Sequence, residues 1–248
     1  MRVGAIAALA LVTLQAVTPA IAADIDVLCS GAIDAIMGEV APQFERASGH
    51  KLNMRYGIGA VMKRQIVAGE TFDAAILVGA IDDLVTAGKI VAGTPAVLGR
   101  TGYGVGVRIG APKPDIGTAE AFKRTLLSAK AVAYNKEGGS GTYFVRLLDR
   151  LGIAEEMKGK LMPRRDTAKA VASGEADLTV NGVTPILRAP GIELVGPLPA
   201  ELQSYSTFVA GVGTGARDAQ AATAFVKFLT TPAAVAVFKK RGVEPVAP

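Results

Sequence analysis

Three short turns carry the residues best suited to chemistry: Cys29-Ser30-Gly31-Ala32, Gly57-Ile58-Gly59-Ala60 and Gly138-Gly139-Ser140-Gly141-Thr142. Each leads from an apolar, strand-like run into an amphipathic, helix-like run. Small residues at such a junction let a ligand approach the backbone. The helix that follows offers unpaired N–H groups and the positive end of its dipole. Ser30, Ser140 and Thr142 would add hydroxyls, and Gly31, Gly59, Ala60 and Gly141 main chain. Converging on one cleft, they would hold a small anion, which is binding more than catalysis. Asn181, ending a strand beside Gly182, is a further lining candidate. Each also has a purely structural role open to it: Ser30 as a helix cap, Gly57 and Gly59 as turn formers, Ser140 or Thr142 as the third cap, Asn181 as a turn residue.

Catalytic signatures are sparse. His50 is the sole histidine and reads as an exposed loop residue, which argues against a Ser–His triad or a histidine metal cluster. The third turn lacks the Gly-Lys-Ser/Thr ending of a phosphate loop, and Gly102-x-Gly104-x-Gly106 has the wrong spacing for a dinucleotide site. No metal and no cofactor is expected. An isomerase that moves an acidic proton needs only a base, so that class stays open with no catalytic residue assigned.

The elements that must position these turns alternate along the chain. Strands are expected at Ile25 to Cys29, Leu52 to Tyr56, Phe72 to Val78, Ala96 to Val107, Ala131 to Tyr134, Asp177 to Asn181, Ile192 to Val195 and Tyr205 to Val212. Helical spacing follows most of them, with Pro42 expected to kink or split the first helix and Thr118 to cap another. This rhythm implies largely parallel sheets covered by helices, with ligands beyond the carboxyl ends of the strands. The runs Ala96 to Val107 and Tyr205 to Val212 read as crossovers between two lobes. The expected division is residues 23–104 with 205–248 in lobe 1 and 105–204 in lobe 2.

Arg2, the apolar stretch Ala5 to Leu14, Pro19 and the run Ala20-Ile21-Ala22-Ala23 have the layout of a cleavable secretory signal over residues 1–22, cut after Ala22 or Ala23. An exported, periplasmic protein is expected. A single cysteine excludes an internal disulfide, and Cys29 reads as a small buried hydrophobe. The net charge of +5 is scattered and tryptophan is absent, so no nucleic-acid partner is expected.

The chain resembles type II periplasmic solute-binding proteins of the molybdate-binding family. The resemblance rests on Tyr56-Gly57-Ile58-Gly59-Ala60-Val61-Met62-Lys63-Arg64-Gln65-Ile66, Phe72-Asp73-Ala74-Ala75-Ile76, Gly174-Glu175-Ala176-Asp177-Leu178 and Glu193 through Gln203. It implies a two-lobed α/β fold with the ligand cleft between lobes, acting as a monomer that passes a small anion to an ABC-type permease. Ile58, counted among the ligand-lining positions of the second turn, departs from the pattern, standing where the family usually has a hydroxyl. The tract from Arg100-Thr101-Gly102 to Pro114-Asp115-Ile116 resembles instead a divergent branch that includes proteins similar to aconitate isomerase. On that resemblance Arg100 and Thr101 join the ligand set, Arg100 as a guanidinium fork for a carboxylate. Oxyanion and small polycarboxylate are both open as ligands, with a tricarboxylate isomerase as the alternative.

Overall fold

The computed structural model describes residues 22–246. Nearly all of the expected leader, residues 1–22, therefore lies outside the described residues. Strand β1 (Asp24–Ser30) is followed by a 3-10 turn (Gly31–Ile33), helix α1 (Asp34–Ser48), β2 (Lys51–Gly57), α2 (Gly59–Val67), β3 (Ala74–Val78), α3 (Asp82–Thr86) and the long β4 (Ala96–Arg108). Then come α4 (Ala119–Ser128), β5 (Val132–Tyr134), α5 (Gly139–Arg150), α6 (Ala154–Met157), β6 (Leu161–Pro163), α7 (Thr167–Ala172), β7 (Leu178–Gly182) and α8 (Val183–Arg188). The chain closes with β8 (Ile192–Pro197), β9 (Tyr205–Val212), α9 (Ala219–Phe228) and α10 (Pro232–Lys240).

The strands run in the order β2-β1-β3-β9-β4-β7-β5-β6, with β8 also on β4. Pairings of β1 with β2 and β3, and of β5 with β6 and β7, are parallel. Every antiparallel pairing involves β4 or β9. The sheets are thus more mixed than the β–loop–α rhythm implies, because the two long connecting strands enter against the others.

Buried apolar side chains form separate sets along the chain. One group draws on residues 25–98 and 208–243, including Ile36, Met37, Phe44, Phe208, Phe225 and Phe238. The other draws on residues 105–202, including Phe122, Phe144, Leu147, Val180 and Ile186. Helix α1 runs through Pro42 as one helix. The carbonyl that the proline ring crowds belongs to exposed Gly38, and Ile36, Met37, Val40 and Phe44 keep their helical phase on the buried side. Thr118 caps α4, its hydroxyl accepting from the Ala121 N–H at 3.1 Å.

Two elements depart from the sequence reading. The stretch after Asn181 continues as α8 rather than a plain turn. His50 is part-buried and engaged: its Nδ1 accepts from the Ala23 N–H at 3.1 Å and its ring stacks on Phe44.

Candidate anion-binding site

The strand registers bring the turns toward one line. Ser30 lies opposite Gly57 in the parallel β1–β2 pair, and Cys29 opposite Ile76 of β3. Val78 of β3 pairs with Phe208, and Arg100 and Thr101 of β4 pair with Thr207 and Ser206. The carboxyl ends of β1, β2 and β3 therefore reach the level of Val97 to Gly99, just before Arg100 and Thr101. From the other side, Ala133 of β5 lies opposite Thr179 of β7, and Tyr103 and Gly104 of β4 pair with Gly182 and Asn181. The carboxyl end of β7 reaches the level of Tyr103, and that of β5 the level of Val105. Two sets of strand ends thus flank the four-residue segment Arg100–Tyr103, where ligands of open α/β sheets bind.

Local contacts tie the turns to that segment. A Cβ placed on Gly31 would come 3.6 Å from the Gly57 carbonyl, so the first two turns touch. Ser30 is buried, and its hydroxyl accepts from the Ala32 N–H at 3.4 Å, capping the 3-10 turn. Gly59 starts α2 against Val78, whereas Ile58 is 62 % exposed and makes no side-chain cap. In the third turn a Cβ on Gly139 would meet the Tyr103 hydroxyl at 4.0 Å, and Tyr103 stacks on Tyr143 of α5 at 4.7 Å. The Thr101 hydroxyl lies 3.1 Å from that of Thr184 on α8, both buried.

Some expected roles change. Neither Ser140 nor Thr142 caps α5; that position is Gly138, which has no side chain to offer. The Gly141 N–H is spent on the Gly138 carbonyl at 3.1 Å, leaving Gly139 and Ser140 as the first main-chain donors of the helix. Exposed Thr142 turns its hydroxyl back to the same carbonyl at 3.4 Å. Asn181 donates to Thr167 Oγ1 at 3.2 Å and accepts from the Gly182 N–H at 2.8 Å. Arg100 is not brought into this group. Successive strand side chains point to opposite faces, and opposite Thr101 the Arg100 guanidinium lies over the Tyr205 ring at 3.9 Å, with Glu244 at 3.7 Å.

One pattern was not read from the sequence. Helices α4, α7, α9 and α10 are side-chain capped by Thr118, Asp166, Asp218 and Thr231. Helices α1, α3 and α6 instead carry acidic residues in their first turns. Among the described helices, α2, α5 and α8 alone have neither, their caps being Ile58, Gly138 and Gly182. These are the helices that begin at the carboxyl ends of β2, β5 and β7. Three positive helix ends without internal neutralisation thus lie at the two sets of strand ends.

Acid–base groups nearby are muted. Tyr56, beside the first turn, is pushed up to about 12 by burial, with Cys29 and Asp34 adding to the effect. Tyr143 is also raised, chiefly by burial and in part offset by Arg150; its hydroxyl donates to the Leu202 carbonyl. Both phenols stay protonated at neutral pH. Among the described residues no group of three or more His, Cys, Asp or Glu is placed to hold a metal ion.

Helix α8 also supplies residues that sequence reasoning missed, Thr184 and Arg188. Arg188 donates to Asp34 at the start of α1, joining residues 154 positions apart. Gly182 as a cap and Arg188 in the last turn were the available helix signals, masked by Pro185, which the first turn of a helix tolerates.

Comparison with known proteins identifies the family and the fold. Residues 25–244 match the family model described as bacterial extracellular solute-binding protein. The chain is 32% identical over 246 residues to aconitate isomerase from a Pseudomonas species, covering 94% of each. It is 29% identical over 236 residues to the molybdate-binding protein ModA of Azotobacter vinelandii, covering 89% of this chain and 90% of that one. Among solved structures, the substrate-binding domain of a putative molybdenum ABC transporter from Clostridium difficile superposes with a TM-score of 0.77 at 18% identity, over 91% of this chain and 100% of that one. The fold is that of the type II periplasmic binding proteins. The chain belongs to the family of bacterial extracellular solute-binding proteins.

Proposed function

We propose that this protein is a periplasmic binding protein that captures a small anion, a molybdate-like oxyanion or a small polycarboxylate, and hands it to an ABC-type membrane permease. The observation that carries this reading is the set of three uncapped, acid-free helix starts at α2, α5 and α8. Each would otherwise leave N–H groups to water; an anion at the cleft would satisfy several at once. Lobe 1 (residues 23–104 and 205–248) and lobe 2 (residues 105–204) would close on it as hinged bodies. Ser30, Gly31, Gly59, Ala60, Ser140 and Thr101 are the lining residues of this reading. Export rests on the leader-like sequence of residues 1–22.

A second reading is a cleft isomerase of an unsaturated tricarboxylate, favoured by the 32% identity to an aconitate isomerase. A thermal-shift screen of molybdate, sulfate, citrate and both aconitates tests the first. A ligand at 100 times its Kd should add about 2.7 kcal/mol of stability. Incubation with cis-aconitate, followed by chromatography for the trans isomer, tests the second. Failure of every anion to raise the melting temperature would overturn the binding reading.

A further inference from the structure

We infer that the pocket between α7 and α8 is a subsite for a second carboxylate of the ligand, with Arg188 and Arg165 as its guanidinium forks and Asp34 as the internal carboxylate that holds Arg188 until the ligand arrives. This rests on the anion-binding reading and narrows it to polycarboxylates.

The pocket has a volume of about 420 Å³, within the range of small-molecule sites. That is more space than a five-atom oxyanion fills. Its polar lining includes Arg165, Asp166, Thr167, Asn181 and Arg188. Asp166 is committed to capping α7 through the Lys169 N–H at 3.0 Å, and Asn181 donates to Thr167. Among the described residues no carboxylate lies within ion-pair distance of Arg165. Arg188 has one, Asp34, and it comes from α1 of the opposite group of elements.

Asp34 directly follows the 3-10 turn Gly31–Ile33 and accepts from its neighbour Ala35 N–H at 2.6 Å. Helix α8, one wall of the pocket, packs against this 3-10 turn, so Arg188 links the pocket to the first anion-binding turn through Asp34. A ligand with one carboxylate at the helix ends could place a second where the Asp34 carboxylate now sits. The Asp34 and Arg188 side chains are 42 % and 44 % exposed. An ion pair that accessible is weakly held and readily exchanged. A guanidinium fork matches a planar carboxylate in bidentate geometry, which a tetrahedral oxyanion held by neutral N–H groups does not require.

Calorimetric titration of tricarballylate and molybdate into the full-length protein and the variants Arg188→Ala, Arg165→Ala and Asp34→Asn tests this, with circular dichroism melts to show each variant folded. Each arginine variant should weaken tricarballylate by about tenfold or more, with molybdate, where bound, changed less than about twofold. Asp34→Asn should tighten tricarballylate, because the competing carboxylate is gone while an amide oxygen still receives the Ala35 N–H. Weaker tricarballylate binding in Asp34→Asn would show the Asp34–Arg188 pair to be a latch between lobes and overturn the subsite. So would arginine variants that bind like the wild type, or a wild type that takes molybdate and no polycarboxylate. A wild type that binds no anion would instead overturn the reading on which the subsite rests.

Discussion

The side-chain amide of Gln203 brackets the main chain of Tyr103: its Oε1 accepts the Tyr103 N–H at 2.8 Å and its Nε2 donates to the Tyr103 carbonyl at 2.9 Å, which also accepts the Leu198 N–H at 2.9 Å. Tyr103 sits where β4 changes partner, from β9 up to Gly102 to β8 from Gly104. An amide side chain thus replaces the missing strand at the segment between the two sets of strand ends. Removing it in Gln203→Ala leaves the part-buried Tyr103 N–H without its partner while the carbonyl keeps Leu198, and should cost roughly 1–2 kcal/mol. In a chain of this size that lowers the melting temperature by about 2–4 °C per kcal/mol. Gln203→Glu keeps the acceptor but sets an oxygen against the Tyr103 and Leu198 carbonyls, so it should be destabilised further as pH rises through the carboxylate range. Melts for both variants that match the wild type would contradict this role for Gln203.

Asp73 is the buried acid of the resemblance tract, 2 % exposed. Burial alone would raise its pKa. The Arg217 guanidinium at 2.9 Å and the Asp26 and Arg217 N–H groups at 2.7 Å outweigh that and hold the carboxyl below the ordinary aspartate range. A lowered folded value means stability that is complete above the unfolded pKa and lost as pH falls through the folded one. Asp73→Asn should therefore cost roughly 1.5–3 kcal/mol at neutral pH and less in acid. Denaturant titrations at pH 7 and below pH 3 check this; an equal cost at both would refute it.

Gly59 and Gly141 should separate ligand approach from packing. A Cβ on Gly59 finds Val78 at an ordinary 3.6–3.9 Å, whereas one on Gly141 would lie 1.9 Å from the Asn135 carbonyl. Gly59→Ala should keep or slightly raise stability, by up to about 1 kcal/mol, while weakening anion binding. Gly141→Ala should destabilise the fold outright. Thermal melts beside calorimetry decide, and a Gly59→Ala protein with unchanged affinity would remove that turn from the site.

Cys29 is fully buried, and burial, aided by Asp34, raises its thiol well above the usual range. The folded protein should resist a thiol-specific reagent at pH 8, with one equivalent reacting only in denaturant. Prompt reaction in the native state would show that the end of β1 opens.

Much of this arrangement was legible in the sequence because periodicity reports burial directly. The uninterrupted strand-like runs at β4 and β9 have bounds that agree within a residue, and the Ser30 and Thr118 hydroxyls cap as their positions imply. Two short elements went unread: β6, three residues ending in Pro163, and α8, six residues whose helical signal Pro185 masks. The side-chain partners of Arg100 were hidden as well. They come from Tyr205 and Glu244, more than a hundred positions away, and depend on which face of β4 each residue takes. The contrast between capped and uncapped helices emerges only once every helix start is fixed.

The most direct measurement is backbone amide NMR of the isotopically labelled protein titrated separately with molybdate and tricarballylate. Saturable shifts concentrated on the amides of Gly31, Gly59, Ala60, Gly139, Ser140, Val183 and Thr184 would be the result of an anion received by the helix starts beside Arg100–Tyr103. Shifts confined to the capped starts of α4, α9 and α10, or no saturable shift with either anion, would contradict it.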